Sequence, residues 1–263
     1  TVNGTPADYR FYRGRVAVET PKASPGERLQ LRVEYAAVFD DPFPEAPANT
    51  DNPWFGVTGI VGEKGAFLLS GTGWYPVFPA VSSRFSITVD APEGMVAVTA
   101  GRSNGRRTEG GRTLSFWNVD RTPEGLSLSA GYYEVTEDEA GTIQVATYFT
   151  PETQPLAGRY IEAVKKYLDL YTGLFGPYPF EKFAVVENFF PTGYGFASYT
   201  LMGGTVLRLP FIIDTSLGHE VAHCWWGNGV RVDHSSGNWS EGLTTYVADH
   251  LYKEKESPAA AEA

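Results

Sequence analysis

Apolar and polar residues alternate with period two through much of the first 150 positions. Leu29, Leu31, Val33 and Tyr35 alternate with polar neighbours, as do Phe85, Ile87 and Val89, and then Leu126 and Leu128. Ile143, Val145 and Phe149 lie in a further β-rich run. This period predicts half-buried strands. The pairs Glu93-Gly94, Asn104-Gly105, Gly110-Gly111 and Glu124-Gly125 fall between the runs as turns, with the spacing of an all-β sandwich. Residues 42–55 carry Pro42, Pro44, Pro47 and Pro53, which cannot donate to a sheet ladder, so a long loop is expected there.

The period then changes. After Pro151 and Pro155, the residues Leu156, Tyr160, Ile161, Val164, Tyr167, Leu168, Tyr171, Leu174 and Phe175 recur at helical spacing, and Gly176-Pro177 ends the run. Phe183–Glu187 and Thr205–Phe211 read as strands, and residues 215–226 and 240–255 as two more helices. The expectation is an α+β chain of two domains, an all-β one over residues 1–150 and an α/β one over residues 151–263.

Composition narrows the functions available. Lys and Arg number 21 against 31 Asp and Glu, a net charge of -10, which opposes nucleic acid and anionic membrane surfaces. With 42% hydrophobic residues a core can form, and no apolar run of about 18 residues predicts a membrane span. A single cysteine, Cys224, excludes an internal disulfide and reads as a small buried residue. The chain opens on Thr1 without an initiator Met, and its last residues read as the start of another helix, so a fragment of a longer protein is expected.

All four histidines, His219, His223, His234 and His250, fall near the end of the chain. His219 and His223 stand at i and i+4, about 40° apart on a helix, so both imidazoles can grip one ion. Between them Glu220 can lean over the same ion without ligating it, where a base would activate water for hydrolysis. Apolar Leu217, Val221, Ala222 and Trp225 flank the pair, so it lies on a partly buried helix rather than a solvated face. A catalytic zinc takes a third protein ligand. Glu241 is the best placed, at the start of the next helix after the Gly227-Asn228-Gly229 break, with Ser240 expected as N-cap. One Zn²⁺ per chain is the cofactor expected from this ligand set. His250 reads as a hydrogen-bonding structural residue.

The run His219-Glu220-Val221-Ala222-His223-Cys224-Trp225-Trp226-Gly227-Asn228, followed by Trp239-Ser240-Glu241-Gly242, resembles the zinc site of the aminopeptidase N and leukotriene hydrolase type gluzincin metallopeptidases. Residues 160–187, with Phe175-Gly176-Pro177-Tyr178-Pro179-Phe180, resemble the helix and turn before that family's edge strand, and residues 1–150 its saddle-like N-terminal domain. The resemblance implies a thermolysin-like domain, incomplete at its C-terminus here. It also implies ligands His219, His223 and Glu241, Glu220 as general base, a peptide substrate and a lean towards export to the periplasm or beyond the cell. The oligomeric state stays open.

Three departures from the family pattern carry expectations of their own. Only 17 residues separate His223 from Glu241, where the family usually places 18. The family's carboxylate seven residues beyond the ligand Glu is here Ala248; Asp249 is next to it but about 80° off the face of Glu241 in a regular helix, so no role orienting a histidine is expected of it. The family's Gly-x-Met-Glu-Asn reads Gly193-Tyr194-Gly195-Phe196-Ala197, which puts Phe196 where a Glu holds the peptide amino terminus. Tyr194, Gly195 and Phe196 are therefore the expected substrate contacts, with exopeptidase action in question. The family's oxyanion-stabilising Tyr lies further downstream, and Tyr194, Tyr199 and His234 are the substitutes within the chain. The alternative to a zinc peptidase is a non-catalytic relative that binds peptides or acts as a scaffold.

Overall fold

The structure is a computed structural model that describes every residue except 43–56, 79–82, 123–124, 191–192, 234, 236 and 262–263. The Pro-rich loop expected at 42–55, His234 and the turn residue Glu124 thus fall almost wholly outside the described residues.

The first half holds three antiparallel sheets. A hairpin joins β1 (Tyr9–Tyr12) to β2 (Arg15–Val18). A four-stranded sheet has the order β3-β4-β9-β6, from β3 (Gly59–Gly62), β4 (Gly65–Leu68), β6 (Val96–Thr99) and β9 (Leu128–Gly131). A three-stranded sheet has the order β5-β8-β7, from β5 (Phe85–Pro92), β7 (Arg102–Glu109) and β8 (Arg112–Val119). The three-stranded sheet meets the four-stranded one through β8, where the Trp117 indole donates to the Ala97 carbonyl at 3.2 Å. Gly110 and Gly111 both have positive φ, 59° and 74°, as the two-residue turn between β7 and β8 demands.

Two sequence expectations fail here for identifiable reasons. Asn104-Gly105 is not a turn between strands but a bulge inside β7, where the register with β8 shifts between Ser103 and Arg106. The run Leu29–Tyr35 is not a strand: it makes one bridge, Val2 to Leu31, and leaves Val33 and Tyr35 43% and 51% exposed. Its alternation has no sheet face to bury among the described residues.

A five-stranded sheet follows in the order β10-β11-β12-β14-β13. Its strands are β10 (Glu134–Ala140), β11 (Ile143–Phe149), β12 (Lys182–Asn188), β13 (Gly193–Phe196) and β14 (Tyr199–Gly203). β11, β12 and β14 run parallel, and β10 and β13 are antiparallel edges. This sheet has strands on both sides of residue 150, where β11 gives way to a helix. That helix, α1 (Ala157–Phe175), buries Tyr160, Ile161, Val164, Tyr167, Leu168 and Tyr171 against one face of the sheet, and Gly176 at φ 91° ends it. The other face of the sheet packs Tyr148, Ala184, Val186, Tyr199 and Leu201 against Phe67, Val96, Val98 and Trp117 of the first half.

The stretch Thr205–Phe211, expected as a strand, opens instead within a helical turn, α2 (Gly204–Leu207). Pro210 cannot donate to a ladder, and Leu209 and Phe211 are 41% and 54% exposed. The metal-motif helix is α3 (Ser216–Ala222), after which the chain tightens to bonds such as Cys224 N–H to Val221 O at 3.1 Å. The last helix is one continuous rod with a change of pitch. α4 (Trp239–Thr245) passes into a π-helical segment, Tyr246–His250, and then into α5 (Leu251–Glu256). A short helix, Pro258–Ala261, follows. Asn238, not Ser240, is the N-cap residue of α4, and no side chain caps it. No described helix is long and apolar enough to cross a membrane.

Candidate metal centre

α3 is positioned by its apolar side. Leu217, Val221 and Ala222 are buried in the same core as α1, and Trp225 packs edge-on to Tyr171 and Tyr178, with ring centroids at 5.9 and 5.1 Å. The Trp225 indole also donates to Gly176 O at 3.2 Å, tying the end of the motif to the cap of α1. With that side fixed, His219 and His223 face the opposite way. The His223 N–H still bonds to His219 O at 3.1 Å, so both rings keep helical register although α3 ends at Ala222.

The two Nε2 atoms lie 3.0 Å apart. Glu241, in the first turn of α4, brings Oε2 to 3.4 Å from His219 Nε2 and Oε1 to 3.3 Å from His223 Nε2. These three residues form a group able to hold a metal ion. The spacing suits zinc, because tetrahedral ligands about 2.0–2.1 Å from the ion stand roughly 3.3 Å from one another. The remaining ring nitrogens are engaged as such a site requires. His223 Nδ1 is 3.1 Å from the Trp226 carbonyl, to which it donates in the tautomer that leaves Nε2 bare, and Thr244 Oγ1 is 3.4 Å from the same nitrogen.

His219 Nδ1 faces Asp249 Oδ2 at 3.6 Å. Asp249 therefore does stand behind His219, contrary to the expectation from regular helical spacing. The π-helical segment supplies the reason: one extra residue in that turn makes position i+8 from Glu241 take the place of i+7. Ala248, which occupies i+7 in sequence, is buried instead.

Glu220 leans over the same group. A Cβ on Gly195 would come within 2.7 Å of Glu220 Oε2, so the glycine lets the edge strand β13 lie against the carboxylate without displacing it. Burial pushes the Glu220 carboxyl above its ordinary range; the His223 charge opposes that shift, Glu241 adds to it, and a hydrogen bond from Thr200 opposes it. Glu220, Glu241 and Asp249 give three carboxylates around two imidazoles, a concentration of negative charge that a cation offsets.

The other expected site residues separate cleanly. Of the three substrate-contact candidates on β13, only Gly195 meets the metal group. The Tyr194 and Phe196 rings stack at 5.6 Å on the opposite face, against Phe67 at 5.4 Å and Tyr199 at 4.8 Å respectively. Tyr199 is fully buried with its hydroxyl on Ser127 at 2.7 Å, so neither tyrosine stands ready as an oxyanion donor. Cys224 is buried and accepts from Tyr178 at 3.3 Å, as a packing residue does. His250 stacks on Tyr246 at 5.0 Å, and its buried Nδ1 has no partner among the described residues. Thr200 and Thr244 were invisible in the sequence because strand pairing and helix crossing bring them to the site.

No protein-family profile matches the chain. By sequence it is 29% identical over 192 residues to human Aminopeptidase RNPEPL1, an alignment covering 69% of this chain and 26% of that protein. By structure it is similar to an M1 zinc metallopeptidase from Deinococcus radiodurans, with TM-score 0.66, 22% identity, and coverage of 97% of this chain and 60% of that one. A mutant of that protein bound to a Tyr-Ser-Ala substrate superposes with TM-score 0.67, at the same 22% identity and the same coverage. The chain thus spans about a quarter of the curated relative and 60% of the solved structures. With an aminopeptidase as its sequence relative and these neighbours in structure, the chain has the fold of the M1 zinc metallopeptidases, matching the gluzincin resemblance of its metal motif.

Proposed function

We propose that this chain carries the metal centre of a zinc peptidase of the aminopeptidase N type, with His219, His223 and Glu241 as ligands and Glu220 as general base. The observation that carries this reading is the convergence of two Nε2 atoms and the Glu241 carboxylate at 3.0–3.4 Å. A zinc ion held there supplies Lewis acidity towards a peptide carbonyl. The protein's own groups divide the remaining work. β13 is an edge of its sheet and offers its outer backbone to an extended peptide as an added strand, and the glycine at 195 lets that peptide come close to Glu220. Glu220, its proton affinity raised by burial, takes the proton of the attacking water and passes it to the departing amine. Asp249 and the Trp226 carbonyl hold the two imidazoles in orientation.

Specificity follows from the other face of β13. Phe196 stands where the family's amino-terminal anchor is a Glu, and its ring is committed to Tyr199, so this segment offers no carboxylate to a peptide ammonium. Cleavage of blocked or internal peptide bonds is the activity this favours over aminopeptidase action. The same feature supports the second reading, a peptide-binding relative without turnover.

One experiment separates them. Zinc content is measured for wild type and His223→Ala, and hydrolysis of free and acetylated peptides for wild type and Glu220→Gln. One zinc per chain, lost in His223→Ala, with hydrolysis lost in Glu220→Gln, is the expected result. Zinc without hydrolysis, and peptide affinity unchanged in Glu220→Gln, gives the binding protein; no zinc in wild type after adding it back removes the proposal.

A further inference from the structure

A cavity of about 420 Å³ opens where the chain leaves the carboxyl ends of all three parallel strands. Thr150, Pro151 and Glu152 follow β11, Asn188, Phe189 and Phe190 end or follow β12, and Gly204, Thr205 and Arg208 follow β14. Crevices at the carboxyl ends of parallel strands are where open α/β sheets take ligands. None of His219, Glu220, His223 and Glu241 lines this one.

Its floor is a charged side chain that the metal centre does not use. Glu187 is 6% exposed, and its Oε2 is fixed by the Thr150 N–H at 2.7 Å and by the Thr153 hydroxyl. Oε1 has no hydrogen-bond partner among the described residues and is turned towards Gly204, where a Cβ would collide with it. Arg208 stands beside the same glycine. Its Nη1 lies 3.4 Å from the same Cβ position and donates to Gly204 O at 2.9 Å. The carboxylate and the guanidinium thus border one gap, held open by the missing side chain, and do not pair with each other among the described residues. The only ion pair of Arg208 there is with Glu152, at 3.4 Å with Glu152 82% exposed, a contact of little strength.

A carboxylate held by one oxygen, with the other open to the cavity, suits a cation or donor there, and the guanidinium bordering the same gap suits an anion. Phe189 and Phe190 also line the cavity and make part of its lining apolar. A molecule that satisfies all three carries an ammonium and a carboxylate a few ångströms apart and an apolar substituent. We propose that this cavity binds a free α-amino acid with an apolar side chain, its ammonium on Glu187 and its carboxylate on Arg208. The site is separate from the metal centre and stands whether or not that centre hydrolyses peptides.

The test is calorimetric titration of zinc-depleted full chain with L-leucine, which removes chelation at the metal centre as a source of signal. L-leucine is expected to bind wild type and His223→Ala alike. N-acetyl-L-leucine and L-leucinamide, each lacking one charge, are expected to bind at least about tenfold more weakly. Glu187→Gln, which keeps an acceptor for Thr150, and Arg208→Ala, at an exposed side chain, are expected to lose at least about tenfold as well, with thermal melting confirming that both variants fold. No heat from wild type at about 10 mM L-leucine, or affinity unchanged in both variants, would overturn the assignment. So would binding that disappears only in His223→Ala.

Discussion

Asp249 shows how little a single residue's sequence position reveals when the helix carrying it is irregular. His219 and His223 were legible because i and i+4 share a face on any α-helical turn, and the turn that bears them is regular as far as His223 N. The place of Asp249 is not legible from a constant 100° per residue, because the segment that carries it is π-helical. With His219 as a ligand, as proposed, Asp249 at 3.6 Å from its Nδ1 is the group placed to orient the ring. Asp249→Asn is therefore expected to weaken zinc binding by about 10–100-fold, read by competition with a chromophoric chelator. Affinity unchanged within about twofold would show that the contact does not orient the ring. Gly195 belongs to the same scale: a Cβ there would lie 2.7 Å from Glu220 Oε2, so a side chain at this position obliges that carboxylate to shift.

At the scale of the element, β13 is an edge strand of its sheet, and the faces of its side chains are not legible in the sequence. Period two fixes that Tyr194 and Phe196 share one face and Gly195 the other; which face meets the metal depends on how the sheet lies between α3 and the first-half strands. The structure turns Phe196 towards Tyr199 and away from Glu220. Alignment alone would suggest that Phe196→Glu restores an amino-terminal anchor. The geometry gives the reverse expectation: the new carboxylate enters an aromatic cluster with Tyr194 and Tyr199, costs roughly 1–3 kcal/mol of stability, and leaves the preference between free and acetylated peptides unaltered. Denaturant melts together with paired peptide assays check this, and a gain in selectivity for free amino termini would refute it. Thr205–Phe211 failed for a related reason, since a short apolar run takes its state from its partners rather than from its own pattern.

At the scale of the whole molecule, the two halves share a buried seam whose least expected member is Lys182. Its ammonium nitrogen donates to Thr99 O at 2.8 Å and stands 4.9 Å from the Trp117 ring centre and 5.1 Å from that of Tyr199, with 1% of the residue exposed. The first-half strands thus grip the start of β12, and Tyr178, which donates to Lys182 O at 2.9 Å and to Cys224, carries that contact to the residue after His223. Sequence reading had no means to find this seam, because Lys182 looks like any exposed lysine beside Pro179 and Phe180. Burial pushes its amine down to about 7, with a smaller opposing pull from Cys224. An unfolded chain keeps that lysine protonated up to its ordinary value near 10.4, so between about pH 7 and 10 the unfolded state binds more protons than the folded one. Stability from this group therefore rises with pH across that window, by at most about 1.4 kcal/mol per pH unit, and is flat below it. Buried Cys224 and the buried tyrosines, all raised, act in the opposite sense above about pH 9, so the readout is the difference between wild type and Lys182→Met from pH 7 to 9. Lys182→Met keeps the stem and loses the titrating amine. It is expected to be the more stable of the two at pH 7, with the gap closing as the pH approaches 9. A gap that is constant with pH would mean that the amine stays charged in the seam, held by the two rings and the Thr99 carbonyl.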